Sequence, residues 1–177
     1  MKGEIGCALT HAKIYQQMLV ENLEEVLILE DDIVITQDLL QVLMERRKFP
    51  PEWEAVNFAN TWAQAIPLGG PVCGNYRICR FKGIANRTSA YLINRQGAKK
   101  LIEHVYPIRL PADDFVGITQ ITGLQLYGIT PSVVALAHFK SDIWSDEREA
   151  NELSFNDRTM WARIRKKGKM MWSRLRG

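Results

Sequence analysis

Val26-Leu27-Ile28-Leu29-Glu30-Asp31-Asp32-Ile33 is the stretch on which the reading of this chain turns. Four consecutive apolar side chains predict a short buried strand. Three carboxylates follow it without a spacer. In open α/β sheets, ligands bind beyond the carboxyl ends of strands. Like charges this close repel unless a cation relieves them. Residues two apart point the same way in an extended chain, so Glu30 and Asp32 are expected to converge. Two converging carboxylates suit an oxygen-preferring divalent cation, Mg(II) or Mn(II). The competing reading is a solvated acidic turn that also caps the next helix.

Elements of both kinds flank this stretch. Ile5, Ala8, Leu9, Ala12, Tyr15, Met18 and Leu19 recur at helical spacing and predict an amphipathic helix over 4–21. After the acids, Thr36 is placed to cap a helix that buries Leu39, Leu40, Val42 and Leu43. Strands are expected at 55–58, 76–81, 89–93, 124–129 and 133–136. Asn94 should cap a helix over 95–104, and a short helix over 115–121 should end at Gly123. Pro67-Leu68-Gly69-Gly70-Pro71 reads as a loop. The alternation of strands and helices predicts an α/β fold with a mixed, mostly parallel sheet flanked by helices.

At 177 residues the chain has room for one domain and a tail. The tail announces itself by charge. Residues 158–177 hold eight of the 23 basic residues and no acid, which leaves 15 basic against 20 acidic in residues 1–157, a charge of −5. That split argues against a uniformly basic nucleic-acid-binding domain, and no nucleic-acid partner is expected. Within 158–176, Trp161, Ile164, Met171, Trp172 and Leu175 alternate with the cations. The pattern predicts a basic amphipathic helix that holds an anionic membrane surface; the competing readings are a disordered solubilising tail and a helix packed on the body. The division expected is therefore 1–150 for the folded domain and 151–177 for the tail. No apolar run approaches the ~18 residues of a membrane span, and residues 1–5 lack a signal-peptide core. Cys7, Cys73 and Cys79 match no usual zinc spacing and are expected as reduced thiols in a cytoplasmic chain.

Other chemistry-bearing positions are weaker alone. Asp113-Asp114 reads as a helix-capping pair or, functionally, as a general base for a hydroxyl proton. His11 is expected near the polar edge of the first helix. His138 and Asp142 follow a strand candidate and form a possible outer part of a metal shell. No glycine-rich phosphate loop, nucleophile elbow or metalloprotease helix motif is present.

The order of the segments is more telling than any one of them. Gly3-Glu4-Ile5-Gly6-Cys7-Ala8-Leu9-Thr10-His11 comes first, then Ile28-Leu29-Glu30-Asp31-Asp32-Ile33. Ser89-Ala90-Tyr91-Leu92-Ile93-Asn94-Arg95-Gln96-Gly97-Ala98 follows, then Pro111-Ala112-Asp113-Asp114-Phe115, and last Ser141-Asp142-Ile143. Together they resemble glycosyltransferase family 25, the lipooligosaccharide-biosynthesis glycosyltransferases, over residues 3–145. The resemblance implies a GT-A-like α/β domain that moves a sugar, often galactose, from a UDP donor to a lipid-linked lipooligosaccharide or lipopolysaccharide acceptor with inversion. It implies that Glu30 and Asp32 hold Mn(II) or Mg(II) on the donor diphosphate, supported by Asp31, with His138 and Asp142 as further metal candidates. Gly6, Cys7 and His11 would line the donor side, and Asp114, or Asp113 beside it, would be the base. The expected location is cytoplasmic, peripheral at the inner face of the membrane. Family members carry a further segment ahead of the Gly-Cys-x-x-x-His stretch, so an N-terminally incomplete domain is expected. The alternative function is a catalytically inactive remnant that binds membrane or protein.

Overall fold

A computed structural model describes residues 2–136 apart from residues 60, 62 and 109. Helix α1 (Lys2–Val20) leads into β1 (Glu25–Leu29), a two-residue β2 (Ile33–Val34) and α2 (Gln37–Met44). Strands β3 (Ala55–Asn57), β4 (Gln64–Cys73), β5 (Tyr76–Lys82) and β6 (Ala90–Asn94) follow. Helices α3 (Arg95–Val105), α4 (Ala112–Gly117) and α5 (Thr119–Thr122) come before β7 (Leu126–Thr130) and β8 (Ala135–Leu136). Six strands form one sheet in the order β1-β6-β3-β7-β5-β4, and β2 pairs with β8 apart from it.

Capping chemistry sets two of the helices. The Thr36 hydroxyl accepts from the Leu39 amide at the start of α2, and the Asn94 side chain accepts from the Gly97 amide at the start of α3. Gly123 closes α5 in the left-handed conformation, with φ 65°.

Strand alternation then divides the core between the two faces of the sheet. Tyr91 and Ile93 of β6, Ala55 of β3 and Leu126 of β7 face α1, α3 and α4. Ala90, Leu92, Val56, Tyr127 and Ile129 face the opposite way, against Leu39 and Val42 of α2. Covering on both faces is the α/β layering that the element order predicts.

Several local expectations are corrected. The sheet is mixed but mostly antiparallel: β3–β7 is parallel, whereas β1–β6, β3–β6, β5–β7 and β4–β5 are antiparallel. Alternation of helices and strands does not fix direction when β4 and β5 form a hairpin and β6 enters between β1 and β3. Residues 67–71 are not a loop but part of β4, whose register with β5 shifts between Pro67 and Pro71. The prolines are tolerated because β4 lies at the end of the strand order and needs no second ladder there. Leu40 is exposed, since α2 turns only Leu39 and Val42 fully inward. The helix expected over 115–121 is two short helices, α4 and α5.

His138, Asp142, the boundary at residue 150 and the basic segment 158–176 lie outside the described residues. Among the described residues, no helix is long and apolar enough to cross a membrane.

Gly97 marks the tightest helix–loop approach. A Cβ there would meet the Glu54 carbonyl oxygen at 2.6 Å. Gly97→Ala is therefore expected to cost about 1–3 kcal/mol despite the better helix propensity of alanine, because backbone must shift to admit the methyl. Urea denaturation checks it, and an unchanged or raised midpoint would contradict the packing described.

Candidate metal and donor site at the end of the first strand

The antiparallel ladder of β1 and β6 ends at Leu29↔Ala90 and is prolonged by a bond from the Glu30 amide to the Ser89 carbonyl, 2.8 Å. The chain then turns, with the Ile33 amide 3.4 Å from the Glu30 carbonyl. Glu30-Asp31-Asp32 is thus a turn, not an extended segment. Asp31 is solvent-exposed, whereas Glu30 and Asp32 are half-buried.

The ladder brings Thr88 beside the acids. Its hydroxyl donates to Glu30 Oε1 at 3.3 Å and to Asp113 Oδ1 at 2.7 Å, and its amide donates to the same Asp113 oxygen at 2.7 Å. Asp113 thereby ties α4 to the loop ahead of β6. Asn57 braces that loop from below by donating to the Arg87 carbonyl at 2.8 Å. Arg87 itself sits at φ 79°, a conformation a non-glycine residue adopts only when its surroundings enforce it.

Helix α1 supplies the roof. Cys7 and His11 are four residues apart and share one helix face. His11 is 5% exposed, which corrects its expected position near a polar edge. It belongs to the packed stripe of Ala8, Ala12, Tyr15 and Met18 and lies stacked on Tyr91, ring centroids 5.7 Å apart. His11 Nδ1 is 2.7 Å from the Tyr91 hydroxyl, which is 2.6 Å from the Tyr15 hydroxyl. Its Nε2 lies 3.7 Å from Glu30 Oε1. The ligating atoms of Cys7, His11 and Glu30 all fall within 4.8 Å of one another, the one such trio among the described residues. Gly6, by contrast, is exposed on α1 with open space around its Cα.

The electrostatics separate the acids into two kinds. The His11 imidazole, more than the burial that opposes it, holds the Glu30 carboxyl below its ordinary range, helped by Thr88 and Ser89. Burial raises Asp32, with Glu30 and then Asp31 adding repulsion and Arg87 pulling the other way. Asp32 Oδ1 is sealed from solvent with no hydrogen-bond partner among the described residues. Burial also raises Asp114, with Asp113 and Glu4 contributing. The Cys7 thiol is pushed up to about 11, first by burial and then by Glu30 and Asp113, so it is neutral at pH 7 and no nucleophile in this setting.

Whether the site suits a divalent ion is decided by Asp32. A buried carboxylate oxygen without a donor, next to a second ionised acid, is an unfavourable arrangement that an added cation turns favourable. Glu30 and Asp32 therefore fit Mg(II) or Mn(II). A cleft of about 360 Å³ is lined by His11, Tyr15, Tyr106, Leu110, Ala112 and Phe115 among others. Among its lining residues His11 also faces Glu30, and Ala112 precedes the Asp113-Asp114 pair in the sequence.

Sequence reasoning missed Thr88 and Tyr91. Thr88 carries no motif of its own, and only the β1–β6 register, which sets its neighbour Ser89 opposite Glu30, brings it within reach of that acid. The i, i+4 spacing of Cys7-His11 and His11-Tyr15 was the signal available for the buried network.

Comparison with known proteins bears on the same segments. Residues 1–66 match the profile of a family described as glycosyltransferase family 25 (LPS biosynthesis protein). A glycosyltransferase 25 family member from Aedes aegypti is 33% identical over 144 residues, which is 78% of this chain and 22% of that protein. Procollagen galactosyltransferase 1-B from Xenopus laevis is 29% identical over 123 residues, 66% of this chain and 20% of that one. Inactive glycosyltransferase 25 family member 3 from Homo sapiens is 30% identical over 137 residues, again 66% and 20%. The chain thus spans about a fifth of the length of these curated relatives.

The buried phenol at the centre of the site is testable alone. Tyr91→Phe leaves His11 Nδ1 and the Tyr15 hydroxyl without their shared partner and should cost about 1–3 kcal/mol. Equilibrium unfolding of the two proteins measures this. A loss below a few tenths would show that the network is not formed.

Proposed function

Because this chain belongs to glycosyltransferase family 25, we propose that its domain transfers a sugar, galactose by analogy with the procollagen galactosyltransferase relative, from a UDP donor to an acceptor hydroxyl. The observation that carries the reading is the buried, unpartnered oxygen of Asp32 beside ionised Glu30. These two residues would hold Mn(II) or Mg(II). When bound, that ion neutralises charge developing on the departing diphosphate. Asp31, exposed at the apex of the turn, supports the pair, and Cys7 and His11 flank the donor side.

The remaining work falls to α4. Asp113 is committed through one oxygen to both donors of Thr88, so it acts as a tether. Asp114 is raised by burial, which strengthens it as a proton acceptor. In this reading the acceptor presents its hydroxyl to the Asp114 carboxylate. The proton moves to that carboxylate as the acceptor oxygen bonds the anomeric carbon and the bond to UDP breaks. One displacement inverts the anomeric centre and needs no covalent nucleophile, consistent with a neutral Cys7.

The family profile's description points to a lipopolysaccharide acceptor, and the procollagen relative to a protein-borne one. The lipid-linked acceptor is the reading we adopt. The basic segment 158–176 supports it, since each cation near an anionic surface contributes about 1 kcal/mol to a peripheral attachment. The cytoplasmic membrane face is the corresponding location. A second reading, a binding module without transfer activity, is favoured by the inactive human relative of similar identity.

Calorimetry with UDP-galactose and Mn(II) tests the donor site. Heat of binding is expected for the chain and none for the double variant Glu30→Ala with Asp32→Ala, whereas unchanged donor affinity in that variant would refute the metal role. Asp114→Asn should retain donor binding and lose transfer about 10²-fold or more. Binding without transfer in the unaltered chain supports the second reading. The pH profile provides a further check. Asp114 must be ionised to accept a proton, and its raised pKa means that the rate falls, as pH drops, at a higher pH than an ordinary aspartate would dictate. The same shift means that folding favours the protonated form. Its contribution to stability is present at low pH and lost as pH rises through the folded pKa, so Asp114→Asn should be the more stable protein at neutral pH.

A further inference from the structure

We propose that Cys7, His11 and Glu30 form a second, three-ligand site for a borderline-soft divalent ion of the zinc class, distinct in donor chemistry from the oxygen pair of Glu30 and Asp32. The trio offers sulfur, imidazole nitrogen and carboxylate oxygen, all within 4.8 Å of one another. That spread closes to a tetrahedral shell by side-chain rotation, because Zn–S near 2.3 Å and Zn–N or Zn–O near 2.0–2.2 Å place ligand atoms roughly 3.5 Å apart. Three protein ligands leave a fourth position for water or a ligand.

The imidazole is held for the purpose. His11 Nδ1 is engaged by the Tyr91 hydroxyl at 2.7 Å, and Tyr91 by Tyr15 at 2.6 Å. In the metal-bound form, the tautomer that donates from Nδ1 to Tyr91 offers the lone pair of Nε2, the atom 3.7 Å from Glu30 Oε1, in place of its present interaction with that carboxylate. That distance exceeds a hydrogen bond, and an ion between the two atoms satisfies both. Metal-bound histidines characteristically give their second nitrogen to such an outer partner, which fixes tautomer and ring. Tyr15 and Tyr91 are 0% and 1% exposed, so the orienting chain does not exchange with water. Metal entry releases the Cys7 thiol proton to solvent, and the thiolate bonds the ion. The consequence, which rests on the function proposed above, is competition. Glu30 belongs to both donor sets, so a zinc-class ion withdraws it from Asp32 and opposes Mn(II)-supported donor binding.

Cobalt(II) reports the thiolate directly. Titration of the whole chain with Co(II), without nucleotide, is expected to give a thiolate-to-cobalt charge-transfer absorption and the strong visible bands of a four-coordinate ion. Zn(II) should abolish both by displacement. Cys7→Ser should lose the charge-transfer band, and Cys73→Ser should keep it. A Zn(II)-induced rise in the unfolding midpoint should likewise be present in the unaltered chain and absent in Cys7→Ser, which also shows that this variant folds. Absence of the band in the unaltered chain, or its survival in Cys7→Ser, overturns the proposal. The two readings fail separately: a cobalt band without Mn(II)-dependent UDP-galactose binding defeats the donor site alone, and nucleotide binding without the band defeats this site alone.

Discussion

The pairing of β1 with β6 is the constraint on which the site depends. Its five residue pairs, from Glu25↔Asn94 to Leu29↔Ala90, run to the last apolar residue of β1. The first acid then inherits the next hydrogen bond of the ladder, to Ser89. A slip of one residue would turn Tyr91 to the α2 face of the sheet and carry Thr88 away from Glu30. The alternation of β6 between two cores resists that slip, because Tyr91 and Ile93 fill one and Ala90 and Leu92 the other. Packing thus holds the polar groups in position, and no polar contact in the site has to hold itself.

What that scaffold holds is electrostatically unfavourable. Glu30 is eased by an imidazole and two hydroxyls, while Asp32 and Asp114 are pushed toward their neutral forms by burial and by neighbouring acids. Acids that serve only as caps settle where solvent or a helix dipole accommodates them. Here one Asp32 oxygen is buried with no donor among the described residues, a stability cost that the proposed cation would offset. The adjacent aspartates on α4 divide in the same way. Asp113 accepts both Thr88 donors through one oxygen, and burial raises Asp114.

Glu30 is the residue common to the two metal sites proposed. On one side stands Asp32, an oxygen donor. On the other stand the sulfur and nitrogen of α1, which reaches the acids only because Ala8, Ala12, Tyr15 and Met18 seat it on the sheet. In the two metal readings proposed, hard and soft donor sets share this one residue.

Much of this was readable in the residues. The apolar run before the acids, the caps Thr36 and Asn94, the α1 periodicity and the ordered segments that mark family 25 are local features. They depend on side-chain spacing and on hydrogen bonds within four residues, which a linear chain already specifies. Strand direction, the β4 hairpin through Pro67 and Pro71, the burial of His11 and the partnership of Thr88 with Glu30 and Asp113 were not readable. The hairpin is local in sequence, but its edge position, like the other features, depends on residues tens of positions apart, and their meeting is settled by which apolar faces bury against one another, an energy that belongs to the assembled sheet and helices and to no segment taken alone.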